Sequence, residues 1–476
     1  MLSEKFCRQL REQARQWQAE GLISEDQYAA LARRYQFDTL DTGARDRFVA
    51  ILIGLGGLLL GIGAITLVAA NWQVWSRTLK TSLLFALFVG INTGGFYLWR
   101  QRSPLPLGRF SLGWQQRLGN GLLLLGALSL GANMALMGQM FHIGGSVAGL
   151  LVAWGFGVLL MAYSLRLTSL GILAVGLIGY SYWPGLGESY VNEGSYWLRF
   201  VIEHLGAIAA FGVLPLAYWC RSRLIFLLAI ATTLQSLQVN LAIGLSALGA
   251  PGYWIVALAY ALPPILLYGY PDANESWQQR WPDFPSFRPL ARTIAVWLFA
   301  ISAYFLSFHW FWSSAVSDFG WSSSNIEDTG IQGLLYLLDV ALVVAAWLLF
   351  AWQGDGRSRP RLSPESVNDS AFGAGVAIAA LTLFWHFGIA PLPIFGTFIF
   401  NVILFLIAYT AIRHGLARGR RFSFWQGMVL LSLDIFSRVI EYDTGLVFKA
   451  FVFLLCGVGI VLVGLWFERH VQTLEE

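Results

Sequence analysis

From Phe48 onward the chain repeats one pattern: an apolar stretch of about twenty residues, a short polar interruption, then another apolar stretch. A helix needs about 20 mostly apolar residues to cross roughly 30 Å of hydrocarbon. Fourteen segments reach or approach that length: 48–70, 79–99, 118–140, 145–165, 168–184, 200–219, 224–245, 252–270, 291–312, 331–352, 372–388, 391–412, 423–440 and 444–467. The fifth, eleventh and thirteenth are the shortest. The pattern predicts an all-α fold: a polytopic integral membrane helix bundle of about 14 transmembrane helices over residues 48–470, with a short tail at 471–476.

Residues 1–47 follow a different rhythm, alternating charged and apolar positions with no apolar centre, which argues against a cleaved signal peptide. Ser3 can cap a first helix with Phe6, Leu10, Ala14 and Trp17 on one stripe, and Gly21 is placed to end it in the left-handed conformation. Ser24 and Gln27 form a capping box for a second helix with Tyr28, Leu31 and Tyr35 on one face. Two short amphipathic helices bury little area between them. The expectation is a soluble cytoplasmic hairpin that docks on a protein partner, on another copy of itself or on the bilayer surface.

Composition agrees with the pattern. A chain that is 57% hydrophobic and 12% charged has too little polar surface to cover water-soluble cores, so its main partner is the lipid bilayer. The net charge of +4 is then no sign of nucleic-acid binding; what matters is where the cations fall. With the N-terminus in the cytoplasm, all but five of the 31 Lys and Arg lie on the inner side, the five being Arg77, Lys80, Arg199, Arg438 and Lys449. Clusters at 100–103, 221–223, 280–292, 356–361 and 418–421 share that side, whereas 185–198 and 313–330 are acidic or uncharged. This predicts a bacterial inner-membrane protein with both termini cytoplasmic. Asn71 and Trp72 mark the outer boundary of the first span, where an indole favours the headgroup layer and Asn can satisfy the helix-end carbonyls. Cys7, Cys220 and Cys456 have no metal-ligand spacing and none falls in an outer loop, which argues against disulfides.

Four stretches carry a family resemblance: WQAEGLISEDQYAALARRY in the hairpin, VAANW at the first exit, GANMALMGQMFHIGG with the following LLVAW, and LDIFSRVIEYDTGLVFKAFVFLLCGVGIVLVGLWFERH near the end. In these the chain resembles an uncharacterised family of bacterial predicted membrane proteins, built from a cytoplasmic helical hairpin followed by many spans. The resemblance implies an integral membrane protein and supplies no mechanism; residues 185–410 take no part in it.

Polar groups within spans cost a few kcal/mol each and need individual readings. Gln139 and His142 close the third span; Glu203 and His204 open the sixth; Gln235 and Asn240 lie in the seventh, where Thr232, Ser236 and Asn240 share a face. Asp339 stands roughly 12 Å into the tenth span, counted at about 1.5 Å per residue, with no cation within one turn. It pairs with Lys449 or Arg438 across helices, or it is protonated. Asp434 and Arg438 stand at i and i+4 in the thirteenth span, an intrahelical ion pair or a coupling pair. His142, His204, His309 and His386 all face outward. Read together, Asp339, Asp434, Arg438, Glu203, His204, Gln139, His142, Gln235 and Asn240 would line an outward-facing polar pathway. Each also has a structural reading, since Gln and Asn on spanning helices often satisfy neighbouring backbones.

Pro215 and Pro263-Pro264 remove backbone donors and kink their helices, and broken helices at membrane depth mark binding sites in transporters. The leading expectation is a translocator of a small solute or a lipid-linked head group. A transferase or hydrolase at the outer interface and a non-catalytic scaffold signalling through the hairpin remain alternatives. No nucleophile, oxyanion-hole motif or metal-ligand spacing accompanies the histidines, so no catalytic set, metal or cofactor is assigned.

Overall fold

A computed structural model describes residues 4–35, 59, 74–101, 112–191, 196–271, 285–313, 330–354, 364–442 and 445–475. The first apolar segment and the boundary pair Asn71 and Trp72 lie outside the described residues. All regular structure among the described residues is helical, as an all-α membrane bundle requires, because lipid offers no partner for an open strand edge. The chain divides into two units, Met1–Leu87 and Phe88–Glu476.

In the first unit, α1 (Glu4–Ala19) and α2 (Glu25–Tyr35) form the hairpin. Gly21 takes φ +74° between them, a conformation open to glycine without a Cβ penalty. The capping box is present: the Ser24 N–H donates to Gln27 Oε1 at 2.9 Å and the Gln27 N–H donates to Ser24 Oγ at 3.3 Å. Ala14 is fully buried under Leu10, Trp17, Ile23, Tyr28, Leu31 and Ala32, which is the whole core of the pair. Helix α3 (Arg77–Arg100) starts in this unit and ends in the next.

The second unit continues with α4 (Leu112–Phe141), α5 (Val147–Leu165), α6 (Thr168–Val191), α7 (Tyr196–Glu203), α8 (Leu205–Trp219), α9 (Arg223–Ala247) and α10 (Gly252–Tyr268). Helices α11 (Arg288–Leu306), α12 (His309–Ser313), α13 (Gly330–Gly354), α14 (Pro364–Gly388), α15 (Pro393–Ala417), α16 (Arg421–Glu441) and α17 (Leu446–Glu475) follow. Among the described residues nine helices are long and apolar enough to cross a membrane, or ten if α7 and α8 are one span bent by 64°. The other expected spans differ for physical reasons. Helix α10 has only 17 residues, the described apolar part of α13 is Gly333–Leu349, and α16, outside the nine, carries Asp434, Arg438 and Glu441.

Small residues bring the helices together where lipid provides no hydrophobic drive for association. A methyl group on Gly155 would stand 2.7 Å from Ile178 Cγ1, drawing α5 onto α6, and one on Gly427 would stand 2.6 Å from the Ala408 carbonyl oxygen, drawing α16 onto α15. Among the described residues of this unit two large apolar cores result, beside a small one of Phe424, Met428 and Phe467. The larger is built mainly from α4 to α9 with Val340, Val343 and Trp347 of α13; the smaller gathers Phe299, Trp312, Leu383 and Phe400 from α11, α12, α14 and α15. Phe398, Leu406, Leu454 and Leu465 remain more than half exposed, an outer surface suited to acyl chains rather than water.

Each proline takes a donor from its helix, and nearby groups answer the carbonyls concerned. Pro215 cannot donate a hydrogen bond, and before it the chain widens into a π turn at Ala209–Val213, where the Leu214 N–H reaches the Ala209 carbonyl. The Tyr163 hydroxyl donates to the Gly212 carbonyl of that turn at 2.7 Å. Pro263 leaves the Ala259 carbonyl without its helical donor, and Gln238 Nε2 supplies one at 2.9 Å.

Candidate functional site

The apolar run 200–219 contains Glu203 and His204 in its first turns, and the helix breaks there. His204 has φ −98° and ψ 13°, outside the helical region, so α7 ends and α8 begins at a sharp angle. The break frees the Glu203 carbonyl, which accepts from Asn240 Nδ2 of α9 at 2.7 Å. On the side-chain side, Arg199 Nε donates to Glu203 Oε1 at 2.6 Å, one turn away, and the Tyr336 hydroxyl of α13 donates to the same oxygen at 3.0 Å. One turn further along α13, Asp339 Oδ2 stands 2.8 Å from His204 Nδ1. The Phe200 ring covers the imidazole edge-on, with centroids 4.6 Å apart.

Three helices thus meet at a joint of Arg199, Glu203, His204, Tyr336, Asp339 and Asn240. Its side chains grade from 38% exposed at Arg199, through 23% at Glu203 and 21% at His204, to 6% at Asp339. Asp339 therefore pairs with His204, not with Lys449 or Arg438. Helix α13 lies close enough because Gly244 and Gly333 face each other: a methyl on Gly244 would stand 2.7 Å from Leu337 Cγ and 3.0 Å from the Gly333 carbonyl. Thr232, Ser236 and Asn240 share a buried face of α9, as their spacing predicts, and Thr232 packs on Gly179.

A second polar joint involves α11, α12, α15 and α16. Arg438 does not take Asp434 as its partner. It pairs with Glu441 one turn on, donates from Nη1 to the Ser307 carbonyl at 2.6 Å, and lies 4.3 Å from the Phe308 ring centroid. Asn401 Nδ2 donates to the same carbonyl at 3.0 Å. Glu441 Oε1 accepts the His309 N–H at 2.5 Å and, more weakly, the Trp310 N–H at 3.4 Å. These groups cap the C-terminus of α11 and the N-terminus of α12, so the charge pair is bound mainly to backbone. Asp434 Oδ1 is buried without a hydrogen-bond partner.

The remaining expected residues lie apart from these joints. Gln139 and His142 are exposed at the end of α4, where His142 takes φ 53° as a left-handed cap and Ile143 N–H closes on the Gly138 carbonyl. Gln235 Nε2 donates to the Gly179 carbonyl at 3.3 Å. His386 Nδ1 accepts the Leu392 N–H at 2.9 Å. Tyr336 and Arg199 were not singled out as site residues, although their spacing to Asp339 and Glu203 is i,i+3 and i,i+4. Among the described residues no group of three His, Cys, Asp or Glu is placed to hold a metal ion. An open cleft lies between α3 and α4, lined by Trp99, Arg100, Gln101, Gln116 and Asn120.

Residues 15–171 match the model of a family described as Predicted membrane protein (DUF2157). The matched part takes in the hairpin, VAANW and GANMALMGQMFHIGG stretches; residues 433–470 lie outside it. No curated protein and no solved structure matches the chain. With that similarity over its N-terminal third and membrane-length apolar helices along the rest, the chain is a multi-pass membrane protein.

Proposed function

We propose that the protein is a translocator of the inner membrane, carrying a small solute or a lipid-linked head group, with both termini in the cytoplasm. The observation that carries this reading is the helix broken at His204, whose break holds Glu203, His204, Asp339, Tyr336 and Asn240 together. Discontinuous helices with polar side chains at the break are the usual binding element of secondary transporters. Lone ionisable residues in spans cost enough to be retained mainly where they act on a substrate or ion. On the cation alternation, this joint opens toward the outer leaflet. Asn240 carries it onto α9, while Gln235 is bound to the Gly179 carbonyl. Arg438 and Glu441 brace the neighbouring helices, while Asp434 and the exposed Gln139 and His142 stand outside the pathway. The N-terminal hairpin, with its small core, docks on a partner protein or a second copy.

Reconstituted vesicles test the reading. Flux of a panel of fluorescent lipids and labelled small solutes is measured for the wild type, Asp339→Asn and Glu203→Gln. A wild-type flux that falls at least tenfold in Asp339→Asn, with folding intact, is the expected result, corresponding to about 1.4 kcal/mol at the barrier. Unchanged flux in both variants removes the joint from the pathway.

A further inference from the structure

We infer that the His204–Asp339 pair is a binding site for one exchangeable proton, which rests on and deepens the translocator reading by naming the ion that the joint takes. The geometry supports this in three ways. First, the two side chains face each other at 2.8 Å across separate helices, so any proton added to the pair is shared between α13 and the break in the α7–α8 span. Second, the pair grades inward: His204 is 21% exposed at its side chain and Asp339 only 6%, so the imidazole is the reachable member and the carboxyl the buried one. Third, the neighbouring charges are already matched. Arg199 is bound to Glu203, and Tyr336 donates to Glu203. Among the other elements packed here, α9 contributes the neutral Asn240 and α6 carries the carboxyl of Glu188.

The proton balance is simple. A neutral imidazole with its hydrogen on Nδ1 donates to the Asp339 carboxylate, and the pair carries one negative charge. One proton from water adds to Nε2, forming an N–H bond and breaking none in the protein, and the pair becomes neutral overall, as imidazolium and carboxylate or as imidazole and carboxylic acid. Histidine exchanges protons between about pH 5 and 8. Because the two groups touch, a proton held by one is shared with the other. A neutral pair faces apolar surroundings at far lower cost than a charged one, so occupancy by the proton biases which arrangement of the broken span is stable.

The experiment uses the full-length protein in lipid nanodiscs, with histidine nitrogen NMR and infrared difference spectra of carboxyl groups collected from about pH 5 to 8. In the wild type the His204 ring signal and one carboxyl signal change together. Asp339→Asn removes that carboxyl signal and displaces the ring titration; His204→Gln, read from the carboxyl side, abolishes its change over the same range. Gly459→Ala, where an added methyl meets nothing within 4 Å, preserves the coupled change. Two results overturn the inference: ring and carboxyl signals flat across the range in the wild type, or a ring titration superimposable in wild type and Asp339→Asn. If the coupled titration is found while vesicles show no flux of any solute or lipid, the proton site stands and the translocator reading falls. If flux is found without a coupled titration, the reverse holds.

Discussion

The two polar joints pose the same problem and solve it differently. Each gathers an arginine, a glutamate and a histidine residue near a helix end in lipid, and each involves residues distant in sequence. At the α11–α12–α16 joint, Arg438 and Glu441 terminate on backbone: the Ser307 carbonyl on one side, the His309 and Trp310 N–H groups on the other. Those bonds satisfy the backbone groups that the ends of α11 and α12 leave open. At the α7–α9–α13 joint, Asn240 alone satisfies backbone, while His204 and Asp339 bind only each other among the hydrogen bonds of their side chains described above. The difference teaches that a charge within a span is not by itself a functional sign. What distinguishes the joints is whether a charge ends on fixed peptide groups or on another group that can gain or lose a proton.

The comparison breaks most visibly if Arg438→Met leaves stability untouched. Removing the guanidinium strands Glu441, whose side chain is only 11% exposed, and takes the charged donor from Ser307. A loss of about 3–5 kcal/mol is expected in unfolding from nanodiscs, with flux per folded molecule retained. Next in size, Gly427→Ala and Gly244→Ala each cost about 1–3 kcal/mol, because the added methyl meets the Ala408 carbonyl in one case and Leu337 in the other. Gly244→Ala also lowers flux, by pushing Asp339 away from His204; Gly459→Ala, with nothing within 4 Å, changes neither stability nor flux. Asp339→Asn costs only about 1 kcal/mol of stability, since the amide keeps a hydrogen bond to His204, yet removes flux. The smallest effect is expected for Gln238→Leu, about 0.6 kcal/mol, which leaves the Ala259 carbonyl without its substitute donor.

Much of the architecture was legible before any coordinates. Apolar runs announced the helices, the S-x-x-Q spacing announced the cap at Ser24, and the prolines announced where α8 and α10 lose a backbone donor. The site was legible only in part. Glu203, His204, Asp339 and Asn240 stood out as costly residues in apolar runs, but their partners did not. Helix periodicity relates residues three or four apart, so it offered Arg438 both Asp434 and Glu441; the guanidinium took Glu441 and, beyond any local spacing, a carbonyl 131 positions away. It also gave no reason to join Asp339 to a histidine 135 positions earlier. Nor did it show that Gln238 answers the Ala259 carbonyl that Pro263 leaves without a donor.

By itself, then, the sequence determined that the chain lives in lipid, where its helices run and where its polar residues are expensive, because burial of apolar surface and helix hydrogen bonding are local properties of a segment. Only the tertiary structure decided which polar group answers which. Those choices depend on how closely glycine faces let helices approach and on which carbonyls the prolines and bends leave open, and both are settled between segments far apart in the chain.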